Sequence, residues 1–207
     1  PMKRAESAYG FTKQIGERML ADVSKSDNLK VISLRYFNPI GAHDTALIGE
    51  LPIGVPNNLV PFITQTAMGL REMLTVFGND YDTPDGTNIR DYIHVVDLAK
   101  AHVKAVERLI EKKAEDNLEI FNLGTGVGNS VLEVVNTFEK VSGQKLNYRI
   151  GKRRAGDVVS IYADTTKAGS VLGWKTERDL ANALTTAWKW ELALKERREI
   201  SGETENS

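Results

Sequence analysis

Apolar residues recur along this chain with two spacings. Over residues 7–23 they include Ile15, Met19 and Val23, a four-residue repeat that predicts a helix. Residues 31–37 are almost continuously apolar, the pattern of a strand buried on both faces of a parallel sheet. Between 38 and 58 stand Pro39, Gly41, Gly49, Pro52, Gly54 and Pro56, too many breakers for one long element, so this stretch predicts a shaped connection. Pro61 suits the first turn of a helix running to about residue 72, and 74–77 predicts a short strand ending at Gly78. A turn-rich loop follows, then an extended 92–95, then a helix over 98–113 with Asp97 as its cap and Leu98, Ala101, Ala105 and Leu109 as its apolar stripe. A strand at 120–123 leads to Ser130 and Glu133, whose spacing predicts a capping box, a helix over 131–142 and a stop at Gly143. A strand at 146–150, a short helix at 166–172, a longer one at 179–198 and a polar, frayed tail at 200–207 complete the reading. Helices alternate with strands throughout, which defines an α/β class on a mainly parallel sheet.

Composition narrows the chemistry. The 207 residues are 41% apolar and 27% charged, a globular balance that excludes disorder for most of the chain. With 27 basic and 28 acidic side chains the net charge is -1, which gives no electrostatic case for nucleic acid as the main ligand. There is no cysteine, so disulfides, thiolate nucleophiles and cysteine-ligated zinc are all excluded, and a reducing cytoplasm is the simplest setting. No apolar run reaches membrane length. His43, His94 and His102 lack metal-ligand spacing and are assigned structural roles, with no metal site expected; Trp174, Trp188 and Trp190 are assigned to the core or its cover.

Tyr9 and Lys13 are neighbours on one helical face, which Gly16 and Leu20 continue, so the lysine is expected to face inward. A nearby ammonium favours a phenolate, and such a pair can carry acid/base chemistry; it can equally be a tyrosine and a lysine sharing a helix surface. The turn at Gly124, Gly126 and Gly128 leaves a strand and opens a helix, but Asn129 stands where a dinucleotide fingerprint needs its third glycine, and a structural turn feeding the Ser130 cap is the better reading. Asn57 and Asn58 precede a helix start, where amide donors and free backbone N–H groups can meet phosphate oxygens. Arg90, Arg153 and Arg154 offer guanidinium forks and Asp157 a carboxylate for sugar hydroxyls, although each alone is more often a solvated loop charge.

Taken in order, these segments resemble one family. Ser7-Ala8-Tyr9-Gly10-Phe11-Thr12-Lys13, Leu34-Arg35-Tyr36-Phe37-Asn38-Pro39-Ile40-Gly41-Ala42-His43, Gly54-Val55-Pro56-Asn57-Asn58-Leu59-Val60-Pro61, Arg90-Asp91-Tyr92-Ile93-His94-Val95-Val96-Asp97 and Arg153-Arg154-Ala155-Gly156-Asp157 are similar to the UDP-glucose 4-epimerases, extended short-chain dehydrogenases/reductases of the NAD-dependent epimerase/dehydratase family. The resemblance runs from Ser7 to about Trp190. It implies the C-terminal part of a Rossmann-like doubly wound parallel sheet plus a smaller α/β substrate-binding domain. Residues 1–45 would end the NAD-binding domain, with the catalytic helix and one strand. Residues 46–199 would mainly form the UDP-sugar domain, with elements around 92–128 returning to the Rossmann domain.

The resemblance further implies interconversion of UDP-glucose and UDP-galactose, in galactose metabolism, by transient oxidation at sugar C4. Tyr9 takes the proton from the 4-hydroxyl, Lys13 lowers the tyrosine pKa and holds the nicotinamide ribose, and NAD exchanges hydride with C4. Tyr36 and Phe37 fall on the cofactor side. Asn38, Asn58 and Arg90 match pyrophosphate-side positions, Phe77 lies beside the uracil, Arg154 and Asp157 grip phosphate and ribose, and Leu59 and Tyr92 complete the substrate site. Ile161 holds a position that is Tyr in members restricted to plain hexoses and small in those accepting N-acetyl sugars, and its intermediate size leaves that specificity open. Ala8 stands where Pro is usual, and Asn88 where Gly is common. A cytoplasmic homodimer at full length, paired through helices that include the one bearing Tyr9, is also implied. The family's glycine-rich NAD loop and the Ser or Thr that bonds the sugar would precede Pro1, so the isolated chain is expected to be catalytically silent. Two alternatives stand beside this: an epimerase or dehydratase for another nucleotide sugar, and a non-catalytic UDP-sugar-binding remnant.

Overall fold

The computed structural model describes residues 7–27 and 29–201. Ser7 accepts from the Gly10 amide at 3.0 Å and caps α1 (Ala8–Ser26). Then come β1 (Val31–Tyr36), β2 (Asn38–Ile40), α2 (Leu59–Ala67), β3 (Leu74–Phe77), β4 (Ile89–Arg90), β5 (Tyr92–His94), α3 (Val95–Ile110) and β6 (Leu118–Leu123). The remainder is β7 (Asn129–Ser130), α4 (Val131–Ser142), β8 (Tyr148–Gly151), β9 (Ser160–Ile161), α5 (Thr166–Ser170) and α6 (Leu180–Ser201).

The strand pairs are mainly parallel. β1 pairs with β6 from Val31↔Leu118 to Tyr36↔Leu123, β2 with β5, and β3 with β8. A small fourth sheet has β4 between antiparallel β7 and parallel β9. One core lies among α2, β3, α4 and α6, with Ile63, Val76, Val134, Phe138 and Leu184 at its centre and Trp188 edge-on to Phe138. A second lies between α3 and β6, around Ile93, Ala101, Phe121, Leu123 and Trp174.

Local expectations hold where the signal is local. Ser130 and Glu133 form both halves of the capping box, and Gly143 ends α4 with φ 71°. Four expectations need correction. β1 is only half-buried, because among the described residues it has a partner on one edge alone. α2 begins at Leu59 and stops at Ala67, where the chain turns through Gly69 at φ 78°. Asp97 does not cap α3: the helix starts earlier, and His94 Nδ1 accepts from the Val96 amide at 3.0 Å. Asp97 is buried in the first turn, where it receives the amides of Glu177 and Arg178 and the Arg178 guanidinium, each at 2.9 Å. Lastly, α6 continues through Ser201, while the rest of the expected tail, 202–207, lies outside the described residues.

A fifth correction, of orientation, concerns α1. The face turned to the sheet is Gly10, Gln14, Glu17, Ala21 and Ser24, small or polar at helical spacing, whereas Ile15, Met19 and Val23 point outward. Glu17 explains the choice. Arg35 of β1 donates to Glu17 through Nε at 2.5 Å and through Nη2, a bidentate pair that fixes the helix against the strand. Lys13 is therefore exposed, not inward.

Candidate functional site

A cleft of about 450 Å³ opens to solvent among the described residues. Its walls come from segments distant in the chain. Asn38 enters from the start of β2, Asn58 and Leu59 from the start of α2, and Phe77 from the end of β3. Arg90 and Tyr92 come from β4 and β5, and Arg154 and Asp157 from the loop after β8. All eight are sequence-predicted substrate residues. Val55, Pro56, Phe62, Thr75 and Val131 also line the cleft without having been singled out for it. Phe62 was findable, since it lies one helical turn beyond Asn58; Thr75 and Val131 face the cleft only through tertiary packing.

Two cations dominate the electrostatics. Arg90 Nη1 donates to the Ile89 and Val158 carbonyls, both at 2.8 Å, which holds the guanidinium while Nη2 stands 3.5 Å from Asp157 Oδ1. Asn88 Nδ2 donates to the other oxygen of Asp157 at 3.4 Å, so the carboxylate is oriented from both sides. The Arg154 guanidinium lies over the Phe77 ring at 3.9 Å, giving a flat wall with positive charge behind it. Asn58 donates to Glu50 and makes no side-chain cap, so no cap side chain claims the first amides of α2, which point at the cleft end of the helix. Tyr92 is buried, and desolvation pushes its phenol up to about 12 despite the attraction of Arg90. It is a neutral wall residue rather than a base.

A second constellation lies apart from the cleft lining. Lys13 Nζ is 5.0 Å from the centroid of the Tyr9 ring, and the tyrosine is 73% exposed. Tyr36 ends β1 exposed, with the His102 ring 6.5 Å away, and Phe37 follows half-buried. Ile161 is exposed on β9, opposite Arg90 in register, and is not in the cleft wall.

The glycine turn is structural. Asp91, fully buried, accepts from the Thr125 amide (2.8 Å), Thr125 Oγ1 (2.7 Å), the Gly126 amide (3.0 Å) and the Ala163 amide (3.1 Å). A Cβ at Gly124 would stand 2.3 Å from that carboxylate, so the glycine is there to admit Asp91 and not a phosphate. Among the described residues no acidic or histidine cluster has metal-binding geometry, and no helix is long and apolar enough to cross a membrane.

The loops of this Rossmann-like α/β scaffold build a cleft rich in guanidinium and amide donors. Residues 2–186 match the family described as GDP-mannose 4,6 dehydratase, and the chain belongs to that family. The UDP-glucose 4-epimerase of Drosophila melanogaster is 52% identical over 192 residues, 92% of this chain and 55% of the relative. That of Bacillus subtilis (strain 168) is 50% identical over 188 residues, 90% of this chain and 55% of the relative. Among solved structures, UDP-glucose 4-epimerase from Stenotrophomonas maltophila with bound NAD and formylated UDP-arabinopyranose superposes with a TM-score of 0.89 at 46% identity, over 94% of this chain and 57% of that one. The enzyme from Bifidobacterium longum with NAD+ and UDP gives 0.87 at 43%, over 93% and 57%. The chain thus spans about half the length of the curated relatives it matches.

Proposed function

We propose that this chain carries the UDP-sugar cleft and the Tyr-Lys helix of an NAD-dependent UDP-glucose 4-epimerase. The observation that carries the proposal is the convergence of Asn38, Asn58, Leu59, Phe77, Arg90, Tyr92, Arg154 and Asp157 from distant segments on one cleft. Arg90, Arg154, Asn58 and the open start of α2 supply donors for a diphosphate; Phe77 supplies an apolar face for a base; Asp157, oriented by Arg90 and Asn88, supplies an acceptor for ribose hydroxyls. Asn38, the first residue of β2, lines this cleft and follows directly on Tyr36, which ends β1, and Phe37.

The reacting group is Tyr9. As phenolate, its oxygen takes the proton of the sugar 4-hydroxyl and returns it after the sugar turns, and Lys13, one helical turn on, stabilises that phenolate. The contact of Lys13 with the Tyr9 ring, on a helix clamped by Arg35 and Glu17, fits an NAD that lies along this exposed face, with Lys13 on its ribose and Tyr36 and Phe37 beside it. When bound, NAD supplies the hydride acceptor and donor for C4. Turnover accordingly requires the residues matching the remaining length of the relatives, and the isolated chain binds without reacting. Ile161, beside Arg90 in register but outside the cleft wall, is the residue whose size would bear on tolerance of N-acetyl sugars. The outward apolar stripe of α1 supports pairing of two copies through that helix, and a cytoplasmic place in galactose metabolism goes with the same enzyme class.

The family description leaves one rival, a dehydratase or epimerase for another nucleotide sugar, which would keep the cleft and change the chemistry at the sugar. Calorimetry of UDP, UMP and GDP against this chain tests the cleft. UDP should bind tightest, and Arg90→Ala should weaken UDP by roughly tenfold, the value of a charge-assisted contact. Preference for GDP, or no effect of Arg90→Ala, would contradict the assignment.

A further inference from the structure

Of the three arginines whose forks suit phosphate by their chemistry, Arg90 and Arg154 line the cleft and Arg153 does not. Its place follows from the strands before it. β3 and β8 run in parallel register as far as Phe77↔Gly151, and the Gly78 amide, donating to the Gly151 carbonyl at 2.9 Å, closes their backbone pairing. Beyond that point the two chains part into loops. The 78–87 loop is well anchored: the Tyr81 amide donates to the Gly86 carbonyl at 2.9 Å, and Asp85 accepts the Thr87 amide at 2.9 Å and the Ser130 hydroxyl at the start of α4. The loop after β8 depends on fewer ties. Among the described residues, the hydrogen bonds, ion pairs and ring contacts that join 152–156 to other segments come from Arg153 and Arg154 alone.

Arg153 Nε donates to Asp80 Oδ1 at 2.7 Å, its Nη2 donates to the Asp80 carbonyl, and its guanidinium carbon lies 4.1 Å from the centroid of the buried Tyr81 ring. A planar fork held by a carboxylate, a carbonyl and a ring face is fixed in direction as a lysine ammonium would not be. Gly78 makes room for this stack, since a Cβ there would stand 2.6 Å from the Tyr81 ring and 2.8 Å from Arg153 Cγ. The same guanidinium holds the Asp80 carboxyl below the usual carboxylate range. An exposed ion pair contributes little stability by itself, so what the arrangement supplies is the path of the loop. The next residue, Arg154, lies 3.9 Å over Phe77 in the cleft wall.

We propose that Arg153 is a positioning residue for the nucleotide cleft: locked on Asp80 and Tyr81, it sets the loop after β8 so that Arg154 lies over Phe77. The inference rests on the nucleotide reading given above, which supplies the ligand that Arg154 and Phe77 meet. Asp80 gives it a sign. Deleting an acid beside a cationic cleft strengthens the binding of a diphosphate if charge alone is at work. If Asp80 acts by holding Arg153, the same deletion weakens it.

The test uses the 207-residue chain and UDP calorimetry. Arg153→Ala and Asp80→Ala should each weaken UDP by about threefold to tenfold, the span of one hydrogen bond. In an Arg154→Ala background both losses should shrink to less than about twofold, because the residue they act through is gone. Asp80 is largely exposed, so its truncation keeps the test open if uncovering Tyr81 in Arg153→Ala unsettles the fold. NMR adds a readout that needs no nucleotide: the Arg154 side-chain protons, assigned as those missing from Arg154→Ala, should carry the ring-current shift of Phe77 in wild type and lose it in Arg153→Ala and Asp80→Ala. An Asp80→Ala variant that binds UDP as tightly as wild type or tighter overturns the proposal. So does an Arg153→Ala loss undiminished in the Arg154→Ala background, which would place Arg153 on the phosphates directly. Failure of the nucleotide reading looks different: wild type then binds no UDP, which removes the role in the cleft, while the Arg154 shift still reports whether Arg153 places it.

Discussion

Asp91 organises more of the site region than any other single residue. Its carboxylate takes three backbone amides and one hydroxyl, and it joins the turn after β6 to the junction between β4, which carries Arg90, and β5, which carries Tyr92. Asp91→Ala leaves those amides buried and unpaired, at about 1 kcal/mol or more each, so the variant should lose roughly 3 kcal/mol in a urea melt. His94 is the other buried polar hub. Its Nδ1 accepts from the Val96 amide, so Nε2 carries the hydrogen and donates to Thr186 Oγ1 at 3.1 Å. Burial first, and the Arg178 charge second, hold its pKa below the usual histidine range. The stabilisation from the neutral ring is therefore present above the unfolded pKa, about 6.5, and is lost as pH falls through and below it. Urea midpoints measured from pH 8 to pH 5 should decline across that window, and the decline should shrink in His94→Gln. None of these roles was legible in sequence. Asp91, Asp97 and His94 are ordinary polar residues until the fold brings Thr125, Ala163, Arg178 and Thr186 to them from far along the chain.

At the level of elements, the readable parts were those whose signals are local. The capping box and Gly143 defined α4 to the residue, because both ends are written within a few positions. Ser130→Ala should cost about 1 to 2 kcal/mol, since the hydroxyl caps the helix and also bonds Asp85. The two-residue strands β4, β7 and β9 were invisible, as nothing so short carries a period. α1 was recognised from its apolar repeat, but the inward orientation expected for Lys13 fails: the Arg35 and Glu17 pair turns a polar stripe to the sheet and leaves Lys13, Ile15 and Met19 outside. If that outward stripe pairs two copies, Ile15→Asp with Met19→Asp should convert a dimer of full family length to monomer in sedimentation velocity. An unchanged dimer would move the interface elsewhere.

Across the whole molecule, two cores divide the labour. The one around Phe138 and Leu184 supports the cleft through α2 and β3, and the one around Phe121 and Trp174 supports the β1 and β6 pair beside α1. On the proposed reading, nucleotide grip and proton transfer would then rest on differently supported parts, which suits a reaction that must hold UDP still while the sugar turns. Near-zero net charge is consistent with a diphosphate ligand because the relevant arginines are local. Asn58, Arg90, Arg154 and Asp157 were candidates by their chemistry, but Asn38, Leu59, Phe77 and Tyr92 were legible only through the family resemblance, since none of their spacings is distinctive by itself; Ile161, also drawn from the resemblance, and the Tyr9 pair lie outside the cleft wall.

On the proposed reading, Tyr9 performs the proton transfer of a UDP-hexose 4-epimerase. Its most direct test is conversion of UDP-galactose to UDP-glucose by the protein at full family length, wild type against Tyr9→Phe, with UDP affinity measured in parallel. Wild type should turn over, and Tyr9→Phe should lose roughly 10² to 10⁴-fold in kcat with UDP affinity nearly unchanged. A wild-type enzyme that leaves UDP-galactose untouched, or a Tyr9→Phe variant with near-native kcat, would contradict it.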